Sequence, residues 1–249
     1  MKKLYRKDYQ GEYVITGGDR KRGQVLYDRE WVPNTINNHN TGHAVVLGNG
    51  PSRKDLNPYT EMYYQHMGGF NANKKLTVYG CNSVFKEAKV HFLVVNHPEV
   101  ARQTVTSGYA DNNVVLTGRG NIELFPNKFH LVPYGVKMNA GAIAAYLAAF
   151  DGHKNVYLVG VDLDNYPRGA NSVFHGTPGY PAGTKPINYQ RWIREYKEVF
   201  ETYNDVKFIR VSRGESSPIP EEWINLPNVE QMPYDRWKKI IDLGVQGAG

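Results

Sequence analysis

Six short runs of apolar, mostly β-branched residues recur along the chain from residue 44 onward. Such near-continuous apolar runs are typical of strands buried on both faces of a parallel sheet. Parallel strands need crossover connections, and helical spacing occurs between the runs over residues 139–150 and 188–203. The pattern therefore predicts an α/β fold with a doubly wound, mostly parallel sheet and helices on both faces. The predicted strands are 44–47, 76–79, 92–95, 114–116, 156–159 and 206–209.

The 249 residues fit one large α/β domain, and no linker-like segment divides them. The first 43 residues are polar, with a hairpin pattern over 13–16 and 24–27. We therefore predict a polar N-terminal extension over 1–43 and a single Rossmann-like domain over 44–249. The segment 223–243 contains a predicted helix over 234–243 and is interpreted as a docking tail whose aromatic side chains complete the core.

Composition narrows the class of protein. The single cysteine, Cys81, can form neither an internal disulfide nor, alone, a thiolate metal site. No stretch approaches the roughly 20 apolar residues that span a bilayer, so we expect a cytoplasmic protein. The net charge of +6 attracts anionic ligands, but the densest basic cluster is only residues 20–22, which argues against nucleic acid as the main partner. Homo-oligomer formation is left open.

The strongest local signal is a glycine-rich loop directly after the first predicted core strand, Gly48-Asn49-Gly50-Pro51-Ser52. Glycines at the carboxyl end of a strand let the backbone approach a ligand, and free amide hydrogens accept the charge of an anion. The loop matches neither the dinucleotide fingerprint nor a P-loop. It predicts a phosphate or nucleotide site, and the structural alternative is a tight turn in which Ser52 caps a helix.

Three other predicted strands also end in polar residues, which include Asn82, Asn96 and Asp162. Because the carboxyl ends of parallel strands share one edge, these side chains and Asn49 should form a row there. Such a row suits a ribose, a base edge or a sugar. Asn139 precedes an Ala-rich helix as its cap, and the positive end of that helix is expected to be available to an anion.

Together these segments resemble, in order and spacing, the bacterial sialyltransferases of glycosyltransferase family 42. The resemblance spans residues 44 to about 211. It implies a nucleotide-sugar-dependent transferase with a glycan or other hydroxyl acceptor, a donor of the CMP-linked kind and no intrinsic cofactor or metal. Lys137 stands where the family has an arginine, and Ala140 where it has a serine. The predicted nucleotide-binding residues, two of them in the long segment after Gly160, are Gly48, Asn49, Gly50, Ser52, Asn82, Asn96, Lys137, Asn139, Gly141, Asp162, Tyr166 and Tyr180.

A segment of more than twenty residues, rich in Gly, Pro, Tyr and Asn, follows Gly160. Loops of this length inside a compact domain are usually functional lids or disordered. We expect Tyr166, His175 and Tyr180 to close over a ligand. His175 also has a place similar to that of the family's catalytic histidine, and an imidazole can serve as general base on an acceptor hydroxyl. A simple surface histidine is the alternative.

Two other functions remain open. The chain also resembles the archaeal hydroxymethylpterin pyrophosphokinase-like family in its glycine loop and its Gly-x-Asp strand end, which implies phosphoryl transfer from ATP with magnesium. Magnesium is expected only under that alternative. Asp162 and Asp164 also have the Asp-x-Asp form by which many other glycosyltransferases hold a divalent metal, and the competing interpretation is that Asp162 accepts hydrogen bonds from the loop backbone. The third reading is a nucleotide- or sugar-binding protein without catalysis, which the alanine at position 140 favours.

Overall fold

A computed structural model describes residues 1–21, 24–37, 42–53, 56, 76–163, 172–182, 189–213 and 218–242. The strands are β1 Gly11–Lys21, β2 Gln24–Pro33, β3 His43–Leu47, β4 Leu76–Cys81, β5 Phe92–Val94, β6 Val115–Thr117, β7 His130–Leu131, β8 Asn155–Val159, β9 Lys207–Ser212 and β10 Val229–Pro233. The helices are α1 Pro98–Thr106, α2 Tyr109–Asn112, α3 Arg119–Leu124, α4 Ala140–Phe150, α5 Tyr189–Thr202, α6 Glu221–Ile224 and α7 Tyr234–Asp242.

One eight-stranded sheet of parallel strands organises the molecule, in the order β10-β9-β8-β3-β4-β5-β6-β7. Side chains alternate along each strand, so Ala44 and Val46 belong to one apolar core and Val45 and Leu47 to the other. Helices α4, α5 and α6 cover the first face, whereas α1 and α7 cover the second. The predicted doubly wound α/β fold is confirmed, as are all six predicted core strands.

Two strands of the large sheet were not predicted. β7 has only two residues and β10 has the half-exposed sequence Val-Glu-Gln-Met-Pro, so neither carries an apolar run. Both lie at the outer edges of the sheet, where a strand is buried less completely than in the centre. An apolar-run criterion finds central strands and misses strands of this kind.

The hairpin predicted near the N-terminus is present and is longer than expected, because β1 and β2 form a two-stranded antiparallel sheet of their own. Before it, Arg6 and Tyr9 are buried against the main domain. At the other end of the chain, Trp223 and Trp237 are fully buried, so the prediction that the C-terminal aromatic residues complete the core is confirmed. Within the ranges described, no helix has the length and apolar character to cross a membrane.

Candidate functional site at the carboxyl edge of the sheet

The strand order reverses at β3, which pairs with β4 on one side and with β8 on the other. The strands from β4 to β7 follow on one side of β3, and the later strands β8 to β10 lie on the other side. Such a reversal of strand order is the usual ligand position in open α/β sheets, on the side of the carboxyl ends. Among the predicted site residues, the glycine loop, Asn82, Asn96 and Asp162 follow β3, β4, β5 and β8 and therefore lie along this edge.

The glycine loop does not offer the free amide groups that the sequence predicted. The N–H groups of Gly48 and Gly50 donate to the carbonyls of Val159 and Gly160, at 2.7 and 2.8 Å. A Cβ atom at position 48 would lie 2.3 Å from the Gly160 oxygen, and one at position 50 would lie 2.6 Å from it. These glycines are thus required because two backbone segments meet closely, and their amides are used within the protein.

Asp162 completes this turn as a hydrogen-bond acceptor. Its Oδ2 accepts the N–H of Ser52 at 2.7 Å, and its carbonyl accepts Nη2 of buried Arg210 at 3.1 Å. The Ser52 hydroxyl is buried and has no hydrogen-bond partner among the described residues. Asp162 therefore has a structural role in the loop. The nearby Asp164 lies outside the described residues. Among the described residues, no group of three His, Cys, Asp or Glu side chains could hold a metal ion.

The predicted asparagine row is present, and its members hydrogen bond mostly to the protein. Asn49 Nδ2 donates to the Tyr180 hydroxyl at 2.9 Å, and Asn96 Nδ2 donates to the Met138 carbonyl at 2.7 Å. Asn82 has a positive φ of 49° and accepts the N–H of Asn96 at 3.3 Å. One acceptor, Asn49 Oδ1, is buried and finds no hydrogen-bond partner in the described part of the chain. A buried unsatisfied oxygen of this kind marks a place where a ligand or water group can bind.

Residues 172–182 lie over the row. The N–H of Val173 donates to the Asn49 carbonyl at 2.8 Å, and buried Phe174 packs against the guanidinium of Arg53 at 5.4 Å. On the far side of this segment, Gln103 Nε2 donates to the Pro178 carbonyl at 3.1 Å. The segment is therefore tied both to the glycine loop and to α1.

Tyr180 is the polar residue at the centre of this closure. Burial is the main cause that raises the pKa of its phenol to about 12, and hydrogen bonds from the Asn49 and Asn82 side chains oppose the rise. The hydroxyl is consequently neutral at physiological pH and can both accept and donate a hydrogen bond. His175 lies on the same segment with an exposed side chain. Tyr166 lies outside the described residues.

The amino end of α4 is not open to an anion, contrary to expectation. Asn139 caps the helix by accepting the N–H of Ala142 at 3.0 Å. Glu195 Oε2 accepts both the N–H and the Nδ2 of Asn139, at 2.7 and 2.8 Å, and so places a carboxylate at the positive helix end. Gly141 is needed for packing, since a Cβ there would lie 2.1 Å from the Tyr196 hydroxyl.

A cleft of about 350 Å³ opens beside the row, over the carboxyl ends of β5 and β6. Lys137 is exposed at its rim and pairs with no carboxylate in the part of the chain that the structure describes. Arg191 is the second cation, and Glu195 Oε1 holds its Nε at 2.7 Å. Asn96 and Asn121 supply amide groups, while Met138 and Ile143 contribute apolar surface. The cleft can therefore hold an anionic ligand that also has polar and apolar parts.

Most of the residues that line the cleft were not predicted from the sequence, among them the polar or charged Asn121 and Arg191 and the glycine Gly118. Gly118 and Asn121 follow β6 in the same way that the predicted residues follow their strands, so the strand-end pattern could have found them. Asn121 is buried, and its Nδ2 donates to the Thr117 hydroxyl at 2.8 Å. Arg191 has no such signal, because it reaches the cleft only through the packing of α5 against α4.

No family model matches the chain, and no curated protein matches it. A solved structure similar to it is that of the sialyltransferase CstII from Campylobacter jejuni in complex with a substrate analogue, cytidine-5'-monophosphate. The two chains are 16% identical, the match covers 75% of this chain and 85% of that chain, and the TM-score is 0.40. At these values the similarity assigns neither a family nor an activity.

Proposed function

We propose that this chain is a nucleotide-sugar-dependent transferase that binds its donor at the carboxyl edge of the sheet. The cleft with two cations beside the asparagine row is the observation that carries the proposal. Lys137 and Arg191 suit the phosphate and other anionic groups of a donor, while Asn96 in the cleft and its hydrogen-bond partner Asn82 suit a ribose, base edge or sugar. The volume of about 350 Å³ lies within the range of ligand pockets.

The donor class in this proposal is a CMP-linked sugar and the acceptor is a hydroxyl group of a glycan. The asparagine row and the two cations are side chains that can bind a nucleoside monophosphate directly. The glycine loop has a supporting role, since its amides hold β3 to the segment after β8. His175, exposed on the segment over the row, is the proposed general base for the acceptor.

Nucleotide binding is tested by thermal shift with CMP, UDP, GDP and ATP, each with and without magnesium. We expect CMP to stabilise the protein without magnesium, by about 2.7 kcal/mol at one hundred times its Kd. Lys137→Ala should weaken CMP binding about tenfold, the equivalent of about 1.4 kcal/mol. Lys89→Ala is the matched control, because this exposed lysine precedes β5 at the opposite edge of the sheet. Equal losses in both variants would show only a general charge effect.

Catalysis is tested by the release of CMP from CMP-linked sialic acid. His175→Ala should lower turnover by roughly 10²–10⁴-fold with CMP affinity unchanged, because proton abstraction from the acceptor is an interaction of the transition state. His97→Ala is the comparison, since His97 is also an exposed histidine and follows β5 at this edge. A loss confined to His97→Ala, or full turnover in His175→Ala, would remove His175 from the mechanism.

The other two functions predict different results in the same assays. Magnesium-dependent binding of ATP without CMP binding would favour the pyrophosphokinase-like reaction. Binding of CMP without any turnover of its sugar conjugates would favour a binding protein that lacks catalysis.

A further inference from the structure

A continuous hydrogen-bonded path joins two residues that line the cleft, Asn96 and Arg191. Its centre is the peptide between Met138 and Asn139, which is bonded through both of its polar atoms. The carbonyl of Met138 accepts Asn96 Nδ2 at 2.7 Å, and the N–H of Asn139 donates to Glu195 Oε2, also at 2.7 Å. The other carboxylate oxygen, Oε1, accepts Arg191 Nε at 2.7 Å. Glu195 therefore connects the backbone beside the asparagine row to a cation of the cleft.

The pair of Arg191 and Glu195 is poorly suited to stabilise α5 itself. Arg191 is the third residue of this helix, and a cation in the first turn opposes the helix dipole. The order from cation to carboxylate is also the less favourable one for two residues at i and i+4. The contact between these two side chains therefore has little value for the helix, which points to a role in the cleft.

Glu195 is enclosed, whereas Arg191 is open to the cleft. Their side chains are 11% and 63% exposed, and among the described residues Arg191 lines the cleft and Glu195 does not. Both carboxylate oxygens accept hydrogen bonds, one from Arg191 and the other twice from Asn139 at the positive end of α4. An anion in the cleft consequently meets the guanidinium, and the negative charge of Glu195 is compensated behind it.

An exposed arginine side chain has many rotamers, and ordering it on binding lowers affinity. A charge-assisted hydrogen bond to Nε restricts these rotamers before the ligand arrives, because the guanidinium is planar and turns as one unit. The acceptor must itself be fixed for this to work. Glu195 is fixed, since its second oxygen is bonded to the backbone and the side chain of Asn139.

We propose that Glu195 is a positioning residue, which holds the Arg191 guanidinium ready to bind the phosphate group of the nucleotide. The identity of the ligand rests on the proposed function, whereas the restraint of Arg191 does not. The expected consequence is discrimination between a nucleotide and its nucleoside, because Glu195 affects only the part of the affinity that comes from the phosphate.

The test is calorimetric titration of CMP and of cytidine into Glu195→Gln. Glutamine keeps an oxygen for the Asn139 N–H, but its amide nitrogen is a donor and cannot accept Arg191 Nε. CMP should bind about 3–10-fold more weakly, the cost of ordering one arginine side chain, and the affinity for cytidine should be unchanged. Glu201→Gln is the matched control, because it breaks the pair with Lys197, which has the same spacing and order on α5.

The double variant Arg191→Ala, Glu195→Gln shows whether Glu195 acts through Arg191. It should bind CMP as Arg191→Ala does, since the carboxylate then has no guanidinium to hold. A further loss of affinity in the double variant would overturn the proposal, as would equal losses for CMP and cytidine in Glu195→Gln. Tighter CMP binding in Glu195→Gln would also overturn it, and would identify the carboxylate as a competitor of the phosphate.

A measurement without ligand separates this inference from the proposed function. The NMR order parameter of the Arg191 Nε–H group should be lower in Glu195→Gln than in the parent and unchanged in Glu201→Gln. An unchanged order parameter in Glu195→Gln would overturn the positioning role. If the parent protein fails to bind CMP, the proposed function fails, and the order parameter still decides whether Glu195 positions Arg191.

Discussion

At the scale of single residues, Gly50 shows how a loop of this composition can serve stability. A methyl group at this position would lie 2.4 Å from Asp162 Oδ2 and 2.6 Å from the Gly160 oxygen. Because one of these atoms belongs to the backbone, Gly50→Ala should lower the free energy of unfolding by about 1–3 kcal/mol. Urea denaturation measures this value.

Gly120→Ala is the control for this prediction. Apart from its chain neighbours and the backbone of its own helix, no atom of the described residues lies within 4 Å of the added Cβ at position 120, and the residue is within α3. Alanine is the better helix former, so this variant should be as stable as the parent or up to about 1 kcal/mol more stable. A Gly50→Ala variant with the stability of the parent would mean that the turn between Gly48 and Asp162 can open at little cost.

At the scale of elements, the segment 172–182 competes with any ligand of the asparagine row. The Tyr180 hydroxyl already accepts the Asn49 amide, and loss of one such hydrogen bond costs about 0.5–1.5 kcal/mol. If the nucleotide must displace the segment, the apparent Kd of the nucleotide depends on the fraction of molecules in which the segment has moved away from the asparagine row. Tyr180→Phe should therefore bind CMP about 2–10-fold more tightly, as isothermal calorimetry would show.

Gln103→Ala provides an independent check. Gln103 lies on α1, and its substitution removes the hydrogen bond to the Pro178 carbonyl and leaves Asn49 untouched. It should increase CMP affinity in the same direction. A lower affinity in Tyr180→Phe alone would instead identify the hydroxyl as a direct ligand of the nucleotide, as the sequence predicted.

The elements also show what the sequence can reveal. Buried parallel strands such as β3 and β8 have continuous apolar runs, so their positions and the shared carboxyl edge could be predicted. The hydrogen-bond partners of the site residues could not be predicted, because they depend on which backbone segments meet in the fold. Gly50 facing Gly160 and Glu195 reaching the Asn139 cap are contacts between residues distant in the chain. Arg191 belongs to the cleft for the same reason.

At the scale of the whole molecule, the N-terminal residues are tied to the domain at the edge opposite the candidate site. Arg6 is buried and pairs with the buried carboxylate of Asp151, which follows the last turn of α4. The Tyr79 hydroxyl donates to the same carboxylate at 2.5 Å. The Arg6 guanidinium also lies 5.6 Å from the ring centre of Phe92 and 5.3 Å from that of Phe150. One side chain thus connects residues 1–10 to the sheet and to α4.

Removal of one partner of a buried ion pair leaves the other charge without compensation, so Arg6→Ala should lower the free energy of unfolding by about 3–5 kcal/mol. In Arg6→Met combined with Asp151→Leu, neither charge of this pair is left buried, and most of that loss should be recovered. Since α4 runs from the cleft to the opposite edge, folded Arg6→Ala should keep the CMP affinity of the parent. Urea denaturation and calorimetry on the same samples measure both quantities. A stability loss below about 1 kcal/mol would show that the N-terminal segment is dispensable for the fold, and a parallel loss of CMP affinity would show that it also shapes the site.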